Sequence, residues 1–223
     1  DANTTGGANT AVGRSALGSN TTASDNSAFG HFALLNNTTG SLNCAFGRDA
    51  LVSNTTASNN TAVGYQSLKD NTTGTQNVAV GASALRANTT ANENTAVGYF
   101  AAISNTTGVA NTVMGHNSFD ANSTGTANVA MGAQSLGSNT TADSNTALGA
   151  FCMRDNTTGN NNTAVGRGAL IFNTTANGNT AVGFETLTTN TTGGGNAAFG
   201  RQALQSNTTG ANNTSSGVQA LKT

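Results

Sequence analysis

One acceptor sequence for N-linked sugar recurs at thirteen evenly spaced places in this chain. They begin at Asn3, Asn20, Asn37, Asn54, Asn71, Asn88, Asn105, Asn122, Asn139, Asn156, Asn173, Asn190 and Asn207, all as Asn-Thr-Thr except Asn-Ser-Thr at Asn122. One reading is a glycan-coated extracellular filament. The other gives Asn a corner to turn and Thr a strand to form, with sugars only about 4.8 Å apart crowding one another. The Thr columns could themselves carry sugar. They could also order water as an ice-binding surface does, although adjacent residues of a strand face opposite ways and leave one column exposed. Other reactive side chains are few. Cys44 and Cys152 stand in different columns more than six repeats apart, beyond disulfide reach, and read as buried free thiols. His31 and His116 share a column five repeats apart, so they cannot clasp one metal and read as surface residues. No Ser/His/Asp set, phosphate loop or Gly-Gly-x-Gly-x-Asp calcium repeat can be singled out. The chain reads as non-catalytic, with no cofactor and no metal site.

What positions these residues is a repeat. From Asn9, every step of 17 residues lands on Asn, as far as Asn213, without insertion or deletion. A fixed short period is the mark of stacked rungs. Residues 1–223 therefore read as one repeat array of thirteen units, expected to form a rod on the order of 60 Å long at strand spacing.

With the rung numbered from Asn9, position 5 is always Gly, position 12 always Asn and position 14 always Thr. Position 4 is Val, Phe, Met or Leu except at Ser216, position 9 is usually Leu, and position 15 is only Ala or Gly. Charges enter positions 6, 7, 10, 11, 16 and 17 and never positions 1–5, 8–9 or 12–15, Asp1 standing before the first rung. Ionised groups avoid interiors, so the charge-free columns read as buried or tightly stacked.

The glycines suit corners needing positive φ or close backbone approach, as at Gly13, Gly30, Gly64, Gly98 and Gly166. Asn tolerates the left-handed region, so Asn9, Asn26, Asn60, Asn94 and Asn162 read as further corners, with position 12, able to ladder with their equivalents. The resulting expectation is an all-β fold, a parallel β-solenoid of the β-roll or β-helix kind. Its 17-residue rungs would carry short strands at positions 2–4 and 12–15. Segment 6–10 suits either a third side or one turn of α- or 3₁₀-helix.

Two large side chains per rung cannot hold seventeen ordered residues. Burying Val or Leu gives roughly 1.5–3 kcal/mol each, against about 1–2 kcal/mol to fix each backbone residue. Hydrogen-bonded stacking or a partner must supply the rest. If position 4 points inward, positions 3 and 5 point outward as a small-residue column suited to a closely packed second chain. Position 15 alternates Ala and Gly with slips at Gly125 and Gly210, which reads as the trace of a duplicated two-rung unit.

The segments Asn9–Leu17 and Asn162–Leu170, both Asn-Thr-Ala-Val-Gly-x-x-Ala-Leu, resemble repeats of bacterial trimeric autotransporter adhesin heads and of some phage tail fibres. The resemblance implies an extracellular, surface-binding parallel β-roll fibre. This rung is longer by its Asn-Thr-Thr segment, and no anchor, stalk or coiled coil is seen.

Only 8% of residues are charged and the formal net charge is −1, which gives no basic surface for nucleic acid. No apolar run is long enough to span a bilayer as a helix. Both ends, Asp1-Ala-Asn-Thr-Thr and Gln-Ala-Leu-Lys-Thr223, fall part-way through a rung without a cap, so a piece of a longer fibre or an end-to-end stacking protomer is expected. The expected role is an extracellular structural or adhesive fibre that partners itself, as oligomer or filament, with surface glycans as further ligands. The alternatives are an ice-binding or glycan-binding solenoid and a disordered low-complexity linker.

Overall fold

A computed structural model describes residues 2–222, and Asp1 and Thr223 lie outside them. The chain forms two compact units, one running to Ala110 and the other starting at Asn111. The first holds six three-residue strands: β1 (Thr10–Val12), β2 (Ser27–Phe29), β3 (Cys44–Phe46), β4 (Thr61–Val63), β5 (Val78–Val80) and β6 (Thr95–Val97). The second holds seven: β7 (Thr112–Met114), β8 (Val129–Met131), β9 (Thr146–Leu148), β10 (Thr163–Val165), β11 (Thr180–Val182), β12 (Ala197–Phe199) and β13 (Thr214–Ser216).

Within each unit the strands pair parallel, in chain order, with partners 17 residues apart, as in Ala28↔Ala45 and Ala164↔Ala181. Each unit is thus a parallel β-solenoid with the rung read from the sequence. Every side of the rung is tied to its neighbours. Ser27 N–H reaches the Asn43 carbonyl at 2.9 Å, Leu34 N–H the Ala50 carbonyl at 3.0 Å, and Thr38 N–H the Thr55 carbonyl at 2.8 Å.

Three local expectations change. Positions 12–15 form a bend rather than a strand, because consecutive amides converge on one oxygen. Thr21 N–H, Thr22 N–H and Thr21 Oγ1 all donate to the Thr38 carbonyl, at 3.1, 3.4 and 3.0 Å. Segment 6–10 is a chain of tight turns and not a helix. Ala16 N–H bonds the Gly13 carbonyl and Asn20 N–H the Leu17 carbonyl, while Ser15 (φ 56°) and Leu17 (φ 54°) are left-handed and stop any helix from propagating. The Asn corners also move. The left-handed residues that are not glycine all fall at positions 7, 9 and 17, as at Gln66, Leu68 and Gln76, and none is the Asn of position 1 or 12.

The glycine corners stand, for two reasons at once. Gly64 has φ +131°, and a Cβ there would lie 2.6 Å from the Gly81 carbonyl oxygen. The glycines of position 15 are also held by packing. A Cβ on Gly40 or Gly159 would stand 2.1 or 2.3 Å from the carbonyl oxygen of the next rung.

Left-handed non-glycine residues cost of order 1–3 kcal/mol each. Each rung carries up to three, so inter-rung bonding must outweigh a recurring strain. Two substitutions should therefore move stability in opposite directions. Gly64→Ala should lower unfolding free energy by more than ~2 kcal/mol, through strain and backbone clash. Gln76→Gly, at an exposed residue with φ 60°, should raise it by ~0.5–1 kcal/mol, as relief of strain exceeds the added chain entropy. Urea unfolding midpoints measure both.

Candidate functional site

The strand alternates its side chains between two faces. Position 3 points inward: Ala28, Ala45, Ala62, Val113 and Ala164 are buried. Positions 2 and 4 therefore point outward, the reverse of the expected parity. Position 4 carries the larger side chain yet is exposed or half-exposed in every rung, from 56% at Val12 and 49% at Met114 to partial cover at Val97 and Leu148. The interior instead takes the Leu of position 9 (Leu34, Leu51, Leu68, Leu136, Leu170), small residues at positions 3, 8 and 15, and both Asn columns. A sheet must bury one face, and at position 3 the space beneath it holds mostly Ala and, at Val113, Val. The bulky residue is left outside.

The Asn columns form hydrogen-bonded ladders. At position 12, within each unit, Nδ2 donates to the Oδ1 of the preceding rung, as from Asn54 to Asn37 at 2.8 Å and from Asn173 to Asn156 at 2.7 Å. The same nitrogen also donates to a position-15 carbonyl three residues on, as from Asn71 to Gly74 at 2.9 Å. At position 1 the backbone N–H of Asn43 meets Asn26 Oδ1 at 3.0 Å, and Asn43 Nδ2 meets the Ala57 carbonyl at 2.8 Å. That carbonyl also receives Asn54 Nδ2 at 3.0 Å, so position 15 ties the two ladders together. Asn26, Asn60, Asn94 and Asn162 are buried and Asn9 is half-buried.

This placement bears on the sugar sequons. Asn20, Asn37, Asn54, Asn71, Asn88, Asn105, Asn122, Asn139, Asn156, Asn173 and Asn190 are buried; Asn207 is half-buried and Asn3 exposed. The amide nitrogens of the buried ones point into the ladder, where a linked glycan would displace the preceding rung. The ladder role, not the sugar, is the one this geometry accommodates in the interior rungs. The adjoining Thr columns divide as alternation requires. Position 13 bonds the next rung through its hydroxyl, and its one replacement, Ser123, keeps that bond at 3.0 Å to the Thr140 carbonyl. Position 14 is exposed from Thr22 to Thr209.

Outside the sheet face, aromatic and basic residues meet at positions 6, 7, 10 and 11. Arg167 lies 5.9 Å from the Phe151 ring and 5.8 Å from that of Phe184. His31 stacks on Phe32 at 3.7 Å, and His116 is exposed. The only ion pairs among the described residues join neighbours in sequence, Arg48 with Asp49 and Arg154 with Asp155. Among the described residues no three of His, Cys, Asp and Glu gather as metal ligands. No helix is long and apolar enough to cross a membrane among them. What the strands assemble is an outward face. Its residues are the strand positions 2 and 4, which sequence reasoning had placed in the core on the strength of their freedom from charge. Comparison with known proteins gives no match, whether to a protein family, a curated protein or a solved structure.

Both thiols are free, but only Cys152 is buried; Cys44 stands half-exposed at position 2 because that column faces outward. Burial pushes the Cys152 thiol up to about 12, and Sγ donates to the Ala164 carbonyl at 3.2 Å. In dilute native protein a maleimide should modify Cys44 alone, and both thiols once guanidinium unfolds the chain; mass spectrometry counts the adducts. The same shift sets a pH dependence. The folded thiol keeps its proton while the unfolded one ionises from its ordinary value of 9.0, so stability should fall as pH rises from 9 toward 12. Cys152→Ser should flatten that fall and leave neutral stability within ~1 kcal/mol, since Ser135 occupies the same column and bonds the Ala147 carbonyl in the same way. Breaking a ladder is costlier. Asn71→Ala leaves Asn54 Oδ1 and the Gly74 carbonyl short of a donor and should cost ~2–4 kcal/mol in urea unfolding.

Proposed function

We propose that this chain is a non-catalytic structural or adhesive fibre protein of the cell exterior that works by associating with copies of itself. The observation that carries this reading is the outward sheet face. Twelve of thirteen rungs place Val, Phe, Met or Leu at position 4 on that face, and no rung places a charge on it. Soluble monomers rarely leave a continuous apolar stripe to water. The interior supports a structural role as well, since its polar groups are spent on holding rungs in register. Glycans of a target surface are further ligands under this reading. The aromatic and arginine pairs such as Arg167 between Phe151 and Phe184 are the side chains suited to them.

A second reading, a surface-binding solenoid of the ice-binding kind, draws on the exposed Thr column at position 14. A single hydroxyl column flanked by half-buried residues gives it less support than the apolar stripe gives self-association.

Sedimentation velocity tests the first reading. Species heavier than the 22.0 kDa chain should appear as concentration rises. They should persist in ~1 M salt, because an uncharged contact is not screened. A single 22.0 kDa species at all concentrations would remove the proposal. Thermal hysteresis of freezing would instead favour the second reading.

A further inference from the structure

Positions 2 and 4 of the outward face vary together from rung to rung. Three rungs carry Phe at position 4: Phe29, Phe46 and Phe199. Their partners at position 2 are Ser27, Cys44 and Ala197, and these are the only rungs whose position 2 is not Thr or Val. The two side chains stand side by side on one face of the same strand. In twelve rungs a large residue thus meets a small one, and a middle-sized residue a β-branched one; the last, with Thr214 and Ser216, departs from the rule. Phe29 and Phe46 stack at 4.5 Å with an interplanar angle of 7°, so the rings keep the rung spacing and lie parallel.

Water imposes no such rule, since solvent fills around any profile. Conserved volume is the mark of a packed layer, where over- and underfilling both cost stability. From this we infer that positions 2 and 4 form a built interface and that its occupant is the same face of a second copy of this chain. The inference rests on the self-association reading and specifies its surface. A covering partner must be uncharged, level and repetitive at strand spacing along a stripe one strand wide, and the face itself meets all three requirements. Two sheets stacked in this way pack about 10 Å apart with side chains interdigitating. The face is open to receive a second copy, since Val12, Phe46, Val63, Met114 and Phe199 are 56, 38, 37, 49 and 43% exposed.

The test measures the association constant of full-length variants by sedimentation equilibrium, with a circular dichroism spectrum to establish that each is folded. Val63→Lys with Val80→Lys puts charge on the face and should yield monomers. Thr56→Lys with Thr73→Lys, exposed at position 14, should leave assembly as it is. The compensation rule supplies a second arm. Val63→Phe alone should weaken association about tenfold by overfilling the layer, and adding Thr61→Ser should restore it to within about threefold. Cys44 should also become slower to alkylate as assembly proceeds. If the native chain assembles but lysine on the face changes nothing, or if the single and double Val63 variants associate equally, the interface lies elsewhere and this inference fails while self-association stands. If the native chain never assembles, both fail together.

Discussion

The buried Asn side chains lie where their amides can bond only groups of their own rung and of the rungs beside it. That constraint governs the rest. In a low-dielectric interior an unpaired amide costs more than a paired one returns, so each ladder is stable only when complete. Asn37 needs Asn20 and Asn54 at the right height, and the Gly40 carbonyl at the right place in its own rung. A shift of one residue would leave donors and acceptors orphaned on both sides. The unbroken period of 17 follows from this, because an added residue in any rung would open two ladders at once.

The ladders also explain how the rung tolerates its strain. Leu34, Leu51 and Leu68 are held left-handed, a conformation that leucine avoids. The turns at these residues aim the leucine inward and present its own amide to the carbonyl of the following rung, as Leu34 N–H does to Ala50. Local preference and stacking conflict here, and stacking wins because it acts along the whole rung. Glycine at positions 5 and 15 serves the same end by admitting a neighbouring backbone where a Cβ would collide.

Much of this was legible in the sequence. The period gave the rung, Thr-Ala-Val gave the strand, and the glycine column gave a corner. The side that faces water was not legible. Lack of charge marks a column that must not be ionised, and an uncharged outer face meets that condition as well as a core does. Size misled too, because Val and Phe at position 4 look like core beside the Ala of position 3 until the narrowness of the rung is known. The left-handed turns were hidden for a different reason: nothing in Gln66 or Leu68 signals positive φ, which the stacked neighbours impose. Asn signalled it at positions 1 and 12 and did not use it, its amide serving the ladder instead.

The side-chain amides of both Asn columns point one way, each rung giving its protons to the rung before it. Their dipoles add, as peptide dipoles do along a helix. A column severed between any two rungs would show bare oxygens on one fragment and bare N–H groups on the other. Such fragments could meet again only head to tail, so the two ends of each ladder are chemically distinct.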